Sequence, residues 1–285
     1  MTTTGTTTIT TTARAEALTW KLGGRTPEDI AISTPIDQRI TRDWAWSGGT
    51  GKSVRVCVVD SGVQGDNPLV GPIQGSYAMA DEDLGAGPTV TETEPQDAYG
   101  HGTACASIIR RIAPDCELYS MRVLGKVGGG TGAALLAGLR WAVEQRFDVV
   151  NLSLSTTRPQ FDQELRALAD QAYFQRTILV ASAHNTPVES FPWRYSSVIS
   201  VGSHPEHDSD LVLANTRPPV EFFARGSAVP VAGLDGKPTR NTGNSFATPH
   251  ITGRCALILG KHPGLTPFQL KTILYLTSDN VRGGE

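Results

Sequence analysis

Three short segments of the chain place a side chain that can react next to glycine. They are Val58-Val59-Asp60-Ser61-Gly62, Gly100-His101-Gly102-Thr103 and Gly243-Asn244-Ser245-Phe246-Ala247-Thr248-Pro249-His250. A serine hydroxyl becomes a nucleophile when a base lies within hydrogen-bond distance, and the base needs an acid that fixes its tautomer. Asp60, His101 and Ser245 are residue types for these roles, so the sequence predicts an acyl-transfer site.

Each of these residues lies at the end of a predicted element. Asp60 ends an apolar run that predicts a strand, His101 opens a predicted helix, and Ser245 precedes the apolar helical segment 251–259. Active sites of open parallel sheets lie at the carboxyl ends of the strands. The helix N-terminus beside Ser245 offers backbone N–H groups to the negative charge that forms during acyl transfer.

The elements that position these residues follow an α/β pattern. Apolar runs predict strands, because strands buried on both faces are continuously apolar. The strands are predicted over residues 54–59, 118–123, 149–154, 177–181 and 198–201. Helical periodicity separates them, as in Leu135, Leu139 and Ala142. A last helix opens with the capping box of Thr266 and Gln269. The pattern predicts a mostly parallel sheet covered by helices.

Composition limits the partners that we expect. The chain has 285 residues, of which 39% are hydrophobic and 19% charged, with a net charge of −3. This leaves no broad basic surface, so we expect neither a nucleic-acid nor a membrane partner.

No apolar run approaches the roughly 18 residues of a membrane span. No export signal is visible, which predicts a cytoplasmic protein. Residues 1–35 are Thr-rich and polar, which predicts a disordered arm before a catalytic domain over 36–285.

The four cysteines predict buried, reduced thiols. Cys57, Cys105, Cys116 and Cys255 are widely scattered, mostly within apolar runs, which is not typical of a disulfide framework. His101 and Cys105 are four residues apart, but no second ligand pair with zinc spacing follows. The segment Gly48-Gly49-Thr50-Gly51-Lys52-Ser53 ends like a phosphate loop, yet Trp46 stands where that loop needs glycine. We therefore expect no cofactor and no metal.

The DSG, HGT and GxSxATPH segments, in the order Asp, His, Ser, resemble the signatures of the subtilisin-like (S8) peptidases. The resemblance covers the chain from about residue 36 to its end, including Ala113-Pro114-Asp115 and Val150-Asn151-Leu152-Ser153-Leu154. It implies a three-layer α/β fold and a serine endopeptidase with Asp60, His101 and Ser245 as the catalytic triad. The segment Val180-Ala181-Ser182-Ala183-His184-Asn185 then makes Asn185 the matching oxyanion donor.

The resemblance also implies where a peptide or protein substrate binds. Gly128, Gly129 and Gly130 match a glycine-rich edge that pairs with extended peptide, and Leu152, Ser153, Leu154 and Ser155 match the opposite edge. The sequence does not indicate an oligomeric state. Two alternatives stay open: a binding module that has lost hydrolysis, and a ligase or cyclase that passes the acyl group to an amine.

Four departures from the family pattern qualify these expectations. His184 stands where glycine is usual, and the connection from His101 to Ala113 lacks a loop that in many relatives helps to bind calcium. Ser155 and Trp193 replace small residues beside the specificity pocket, which predicts a reduced pocket.

His250 is expected to pack behind the nucleophile helix. A solvated loop is expected to hold the acidic residues Asp81, Glu82, Asp83, Glu92, Glu94 and Asp97.

Overall fold

The computed structural model describes residues 39–79 and 89–281. The predicted arm over residues 1–35 lies outside these ranges, and so do Asp81, Glu82 and Asp83. Predictions about those residues stay predictions. Of the helices in the described ranges, none combines the length and apolarity that crossing a membrane needs.

Nine strands of the described residues form one sheet, in the order β3-β2-β4-β1-β5-β6-β7-β9-β8. They are β1 (Arg55–Asp60), β2 (Gly75–Met79), β3 (Val90–Glu92), β4 (Glu117–Arg122), β5 (Val149–Leu152), β6 (Ile178–Ser182), β7 (Ile199–His204), β8 (Leu213–Ala214) and β9 (Phe222–Arg225). Only the edge strands β3 and β8 pair antiparallel within this sheet. The mostly parallel sheet is therefore confirmed, and the five predicted strands correspond to β1, β4, β5, β6 and β7.

The described part of the chain also contains six helices and a two-stranded antiparallel ribbon. The helices are α1 (Arg42–Trp46), α2 (His101–Ile112), α3 (Gly132–Glu144), α4 (Asp162–Phe174), α5 (Asn244–Lys261) and α6 (Pro267–Leu276), and the ribbon pairs β10 (Val229–Ala232) with β11 (Pro238–Asn241). The Thr266 and Gln269 capping box that opens α6 is confirmed.

Alternate residues of β1 enter two separate cores, because successive side chains of a strand point to opposite faces. Val56 and Val58 pack in the core that holds the buried sides of α2, α5 and α6. Cys57 and Val59 pack in the core that holds the buried sides of α3 and α4. The three layers are thereby confirmed. All four cysteines are free and buried, as the sequence predicted.

Candidate active site

The three predicted catalytic residues converge at the carboxyl edge of the sheet. Asp60 is the last residue of β1, His101 is the first residue of α2, and Ser245 lies in the first turn of α5. His101 and Ser245 line one cleft of about 370 Å³, and Asn185 lies on its wall. Residues from four distant parts of the chain therefore meet around one space that a substrate could enter.

Asp60 and His101 form a charge-assisted pair. The Nδ1 atom of His101 lies 2.8 Å and 3.0 Å from the two carboxylate oxygens of Asp60. Asp60 is fully buried, and its Oδ1 atom also accepts the backbone N–H of Ser61 at 2.8 Å. Burial alone lowers the pKa of His101, but the adjacent Asp60 carboxylate outweighs burial and raises the pKa of the imidazole above its usual value. The pair leaves Nε2 as the nitrogen that can exchange a proton with a substrate or a nucleophile.

The glycines of the two motifs let β1 and α2 approach closely. A Cβ atom on Gly102 would lie 2.0 Å from the carbonyl oxygen of Gly62, a distance that no side chain tolerates. Gly62 itself has φ of 107°, where glycine is favoured. Any larger residue at position 102 would separate the two elements and pull His101 away from Asp60.

Asp97 holds the turn before His101, although the sequence placed it in a solvated loop. Its carboxylate accepts the Ser61 hydroxyl at 2.8 Å and the Thr103 hydroxyl at 2.6 Å. It also accepts the backbone N–H groups of Tyr99, Gly100 and Thr103, at 2.9, 2.7 and 2.8 Å. Asp97 therefore fixes the N-terminus of α2 to the end of β1, whereas Glu92 and Glu94 are exposed, as expected.

The backbone carbonyl of Ser245 lacks the usual helical N–H donor and can therefore accept hydrogen bonds from side chains. Pro249, four residues later, has no N–H to donate to the Ser245 carbonyl. That carbonyl instead accepts the Ser153 hydroxyl at 2.8 Å and the Cys105 thiol at 3.6 Å. Ser245 is thereby attached to α2 and to the segment that follows β5. Among the described residues, no hydrogen bond joins the Ser245 hydroxyl to His101. Hydrogen bonds of this kind often become short only when substrate binds.

Asn185 presents its amide nitrogen at the cleft. The backbone N–H of Asn244 donates to Asn185 Oδ1 at 2.9 Å, so the oxygen is engaged and the NH₂ group remains available. A Cβ atom on Gly243 would lie 3.3 Å from Ser245 Oγ and 3.6 Å from the Asn185 amide. Glycine at position 243, with φ of 154°, keeps open the space between nucleophile and amide.

The comparison with known proteins agrees with this geometry. The model of the subtilase family of peptidases matches residues 51–285. The chain belongs to the subtilase family. It is 33% identical over 242 residues to the minor extracellular protease Epr of Bacillus subtilis (strain 168), covering 80% of this chain and 35% of Epr. Thus the chain spans about a third of that relative's length.

Two further relatives match this subtilase along most of their lengths. Subtilisin DY of Bacillus licheniformis is 31% identical over 77% of this chain and 86% of its own. Thermitase of Thermoactinomyces vulgaris is 28% identical over 90% of this chain and 93% of its own. The crystal structure of a cold adapted subtilisin-like serine proteinase superimposes with a TM-score of 0.62 at 27% identity, covering 79% of this chain and 81% of that one.

Two edges of the subtilase cleft lie where the sequence placed them. Gly128, Gly129 and Gly130 line the cleft, as do Ser153, Leu154 and Ser155. Leu152 does not line the cleft, because its side chain is fully buried in the core that contains α3 and α4. As a residue of β5 it faces the helices instead, which corrects its assignment to the substrate edge.

Trp193 also does not line the cleft, contrary to its predicted place at the base of the pocket. Its side chain is buried, and its indole N–H donates to the Ser190 hydroxyl at 2.8 Å. It borders a second cavity, of about 480 Å³, with Val220 and Phe223. The structure therefore gives no support to a pocket narrowed by Trp193, while Ser155 remains on the cleft wall.

Sequence reasoning missed several residues of the cleft. Tyr99 is 54% exposed, and its ring would lie 2.8 Å from a Cβ atom on Gly128. The aromatic ring thus packs against Gly128. The sequence could have indicated this contact, because Tyr99 is an aromatic residue only two positions before His101. The other missed lining residues are Leu124, Thr131, Gly132, Leu135, Thr156, Ser182, Ala183 and His184.

One group of side chains in the described ranges has metal-ligand spacing. The ligand atoms of Asp60, His101 and Cys105 lie within 4.8 Å of one another. Cys105 is buried, and burial raises the pKa of its thiol, which disfavours the thiolate that metals bind. Asp60 and His101 already bind each other. Cys105 therefore packs as a core thiol, as the sequence predicted.

His184 and His250 take structural positions around the site. His184 stands in the usual glycine position, and its Nδ1 atom accepts the Thr186 N–H at 3.1 Å, which braces the loop that carries Asn185. His250 is fully buried within α5. Burial, with Arg254 nearby, lowers the pKa of His250, which favours the neutral imidazole.

Proposed function

We propose that this subtilase is a serine endopeptidase that cleaves peptide bonds through an acyl-enzyme on Ser245. The proposal depends most on one observation: the His101 imidazole is bound through Nδ1 to a fully buried carboxylate and shares one cleft with Ser245. A buried carboxylate in this position stabilises the imidazolium that forms when His101 accepts a proton. Family membership independently supports a serine peptidase.

The proposed reaction begins with attack of Ser245 Oγ on the scissile carbonyl carbon, while His101 Nε2 takes the hydroxyl proton. The carbonyl oxygen becomes an oxyanion that accepts the N–H of Ser245 and the amide N–H of Asn185. The C–N bond breaks as His101 returns the proton to the leaving amine. Water then attacks the ester with His101 again as base, which releases the acid and restores Ser245.

The two edges of the cleft support an extended substrate. Gly128, Gly129 and Gly130 line the cleft, and so do Ser153, Leu154 and Ser155 of the segment after β5. An extended peptide can add to an exposed edge through main-chain hydrogen bonds, which are independent of side-chain identity. We therefore propose peptides and unfolded or flexible protein segments as substrates.

The decisive experiment is mass spectrometry of a defined peptide mixture incubated with the protein in ¹⁸O-labelled water. We expect shorter peptides whose new carboxyl termini carry the label, and no such products from Ser245→Ala. Active-site labelling by a fluorophosphonate should occur in the parent and be absent in the variant. Products longer than the starting peptides would instead identify a ligase or cyclase. An unlabelled, inactive parent that still binds peptide would identify a binding module and contradict the proposal.

A further inference from the structure

Asn244, the residue before the nucleophile, joins three segments of the fold through its side-chain amide. Its Nδ2 atom donates to the carbonyl oxygens of Ala183 and His184, each at 3.2 Å. Its Oδ1 atom accepts the backbone N–H of Ser203 at 2.9 Å. The side chain thereby connects the N-terminus of α5 to the loop after β6 and to the end of β7.

The backbone of Asn244 also fixes the orientation of the Asn185 amide. Its N–H group donates to Asn185 Oδ1 at 2.9 Å. An N–H group can only donate, so the acceptor must be the amide oxygen, and the amide NH₂ group is the end left for a ligand. Rotation of the Asn185 amide by half a turn would place two donors against each other and is therefore disfavoured.

These two sets of contacts restrict two different movements of the Asn185 amide: displacement of its loop and rotation of the amide group. The side chain of Asn244 holds the peptide units immediately before Asn185, and the backbone of Asn244 holds the Asn185 amide. An oxyanion donor lowers the barrier only when it is already aimed at the place where charge develops, about 2.7–3.1 Å away. A displacement of about 1 Å can cost roughly 100-fold in rate.

From this geometry we infer that Asn244 is a positioning residue for the oxyanion: its amide holds the loop so that Asn185 is aimed at the reacting carbonyl. The inference rests on the proposed peptidase function, because it acts through Asn185. Asn244 offers both a donor and an acceptor on a short side chain, and both are needed. Alanine offers neither, and aspartate offers oxygens that repel the carbonyl groups of Ala183 and His184.

The test is steady-state kinetics on a peptide substrate for the parent, Asn244→Ala, Asn244→Asp, Asn185→Ala and the double variant N185A/N244A. We expect Asn244→Ala to lower kcat roughly 10- to 100-fold, with KM within about twofold of the parent, since the lost interaction is made in the transition state. Asn244→Asp should lose at least as much, although its shape is conserved. Thr242→Ala is the matched control, because Thr242 lies two residues before Asn244 and its hydroxyl accepts the Ala228 N–H at 3.0 Å, a contact that does not involve Asn185.

The double variant separates positioning from general damage to α5. If Asn244 acts through Asn185, N185A/N244A should be within about threefold of Asn185→Ala alone, because residues that act as one unit are not additive. Losses that multiply in the double variant, or an unchanged kcat in Asn244→Asp, would overturn the inference while leaving the peptidase intact. An unchanged kcat in Asn185→Ala would overturn the oxyanion assignment and the inference with it.

Discussion

The two ends of helix α2 carry basic side chains that are bound in different ways. At the N-terminal end, His101 contacts the buried Asp60 carboxylate. At the C-terminal end, the Arg110 guanidinium donates to four backbone carbonyls, those of Val70, Pro72, Pro114 and Cys116, at 2.7 to 2.8 Å. One end binds an ionised partner, and the other binds neutral dipoles.

This difference matches two different tasks. Burial lowers the pKa of His101 and the adjacent Asp60 carboxylate raises it, so the charge of the imidazole depends on this partner. Arginine stays protonated in proteins, so Arg110 can only hold its carbonyl partners in place. The proposed reaction therefore depends on His101, whose charge can change. Arg110, whose charge is constant, contributes to stability. Substitutions at the two ends should separate activity from stability.

The largest effect should follow His101→Gln. Glutamine keeps an N–H donor for Asp60, so the buried carboxylate retains a partner, but it cannot take the proton of Ser245. We expect kcat to fall by about 10⁶-fold, the size of loss measured in subtilisin when its serine or histidine is removed. The melting temperature should change by no more than a few degrees. Activity within tenfold of the parent would show that His101 is not the base.

Asp60→Asn should reduce activity less and should also move the pH profile. The amide cannot stabilise the imidazolium, and the loss in comparable Ser-His-Asp enzymes is about 10⁴-fold. His101 accepts a proton only when neutral, so kcat/KM of the parent rises as pH passes the raised pKa of His101. Without the carboxylate, burial lowers that pKa, so the rise should move to lower pH. A pH–rate profile would contradict this account if its acidic limb stayed in place or moved upward.

The sequence predicted the site well where motif and burial coincide. β1, β5 and β6 were found because nearly all of their residues are buried, which makes these strands mostly apolar, whereas β4 and β7 were found from shorter apolar runs. By contrast, β2 alternates between buried and half-buried residues, and β11 is largely exposed. Such strands leave a weak pattern, and neither was predicted. Asp60, His101 and Ser245 were brought together as expected, because each ends or opens an element at one edge of the sheet.

The contacts that hold the proposed catalytic residues were not predictable in the same way. Asp97 was expected to be solvated, and its bonds to Ser61 and Thr103 depend on how close two glycine motifs come. The reach of Asn244 to Ala183 and His184 spans about sixty residues of sequence. No local pattern encodes such contacts. Trp193 was misplaced although its indole N–H partner, Ser190, is only three residues away, because the sequence did not show that the side chain is buried in the core that contains α3 and α4.

The smallest effect on activity, and the clearest on stability, should come from Arg110→Ala at the other end of α2. Four carbonyls lose a charged donor, and water can replace it only in part, so we expect a loss of about 2–3 kcal/mol. For a domain of this size that is roughly 5–10 °C in melting temperature. Arg110→Lys should lie between, since one ammonium cannot reach all four oxygens, and kcat should be unchanged in both variants at 25 °C.

Chelation provides the control for that prediction. The short connection from His101 to Ala113 predicted that the chain lacks a calcium-binding loop, and Arg110, in the last turn of α2, donates to the carbonyls of Val70 and Cys116. EDTA should therefore leave the melting temperature of the parent unchanged, because Arg110 itself binds these carbonyl oxygens. A fall with EDTA that calcium restores would reveal a metal site that stabilises the folded state by mass action. If Arg110→Ala also kept the parent's melting temperature, the division between a catalytic and a stabilising end of α2 would be wrong.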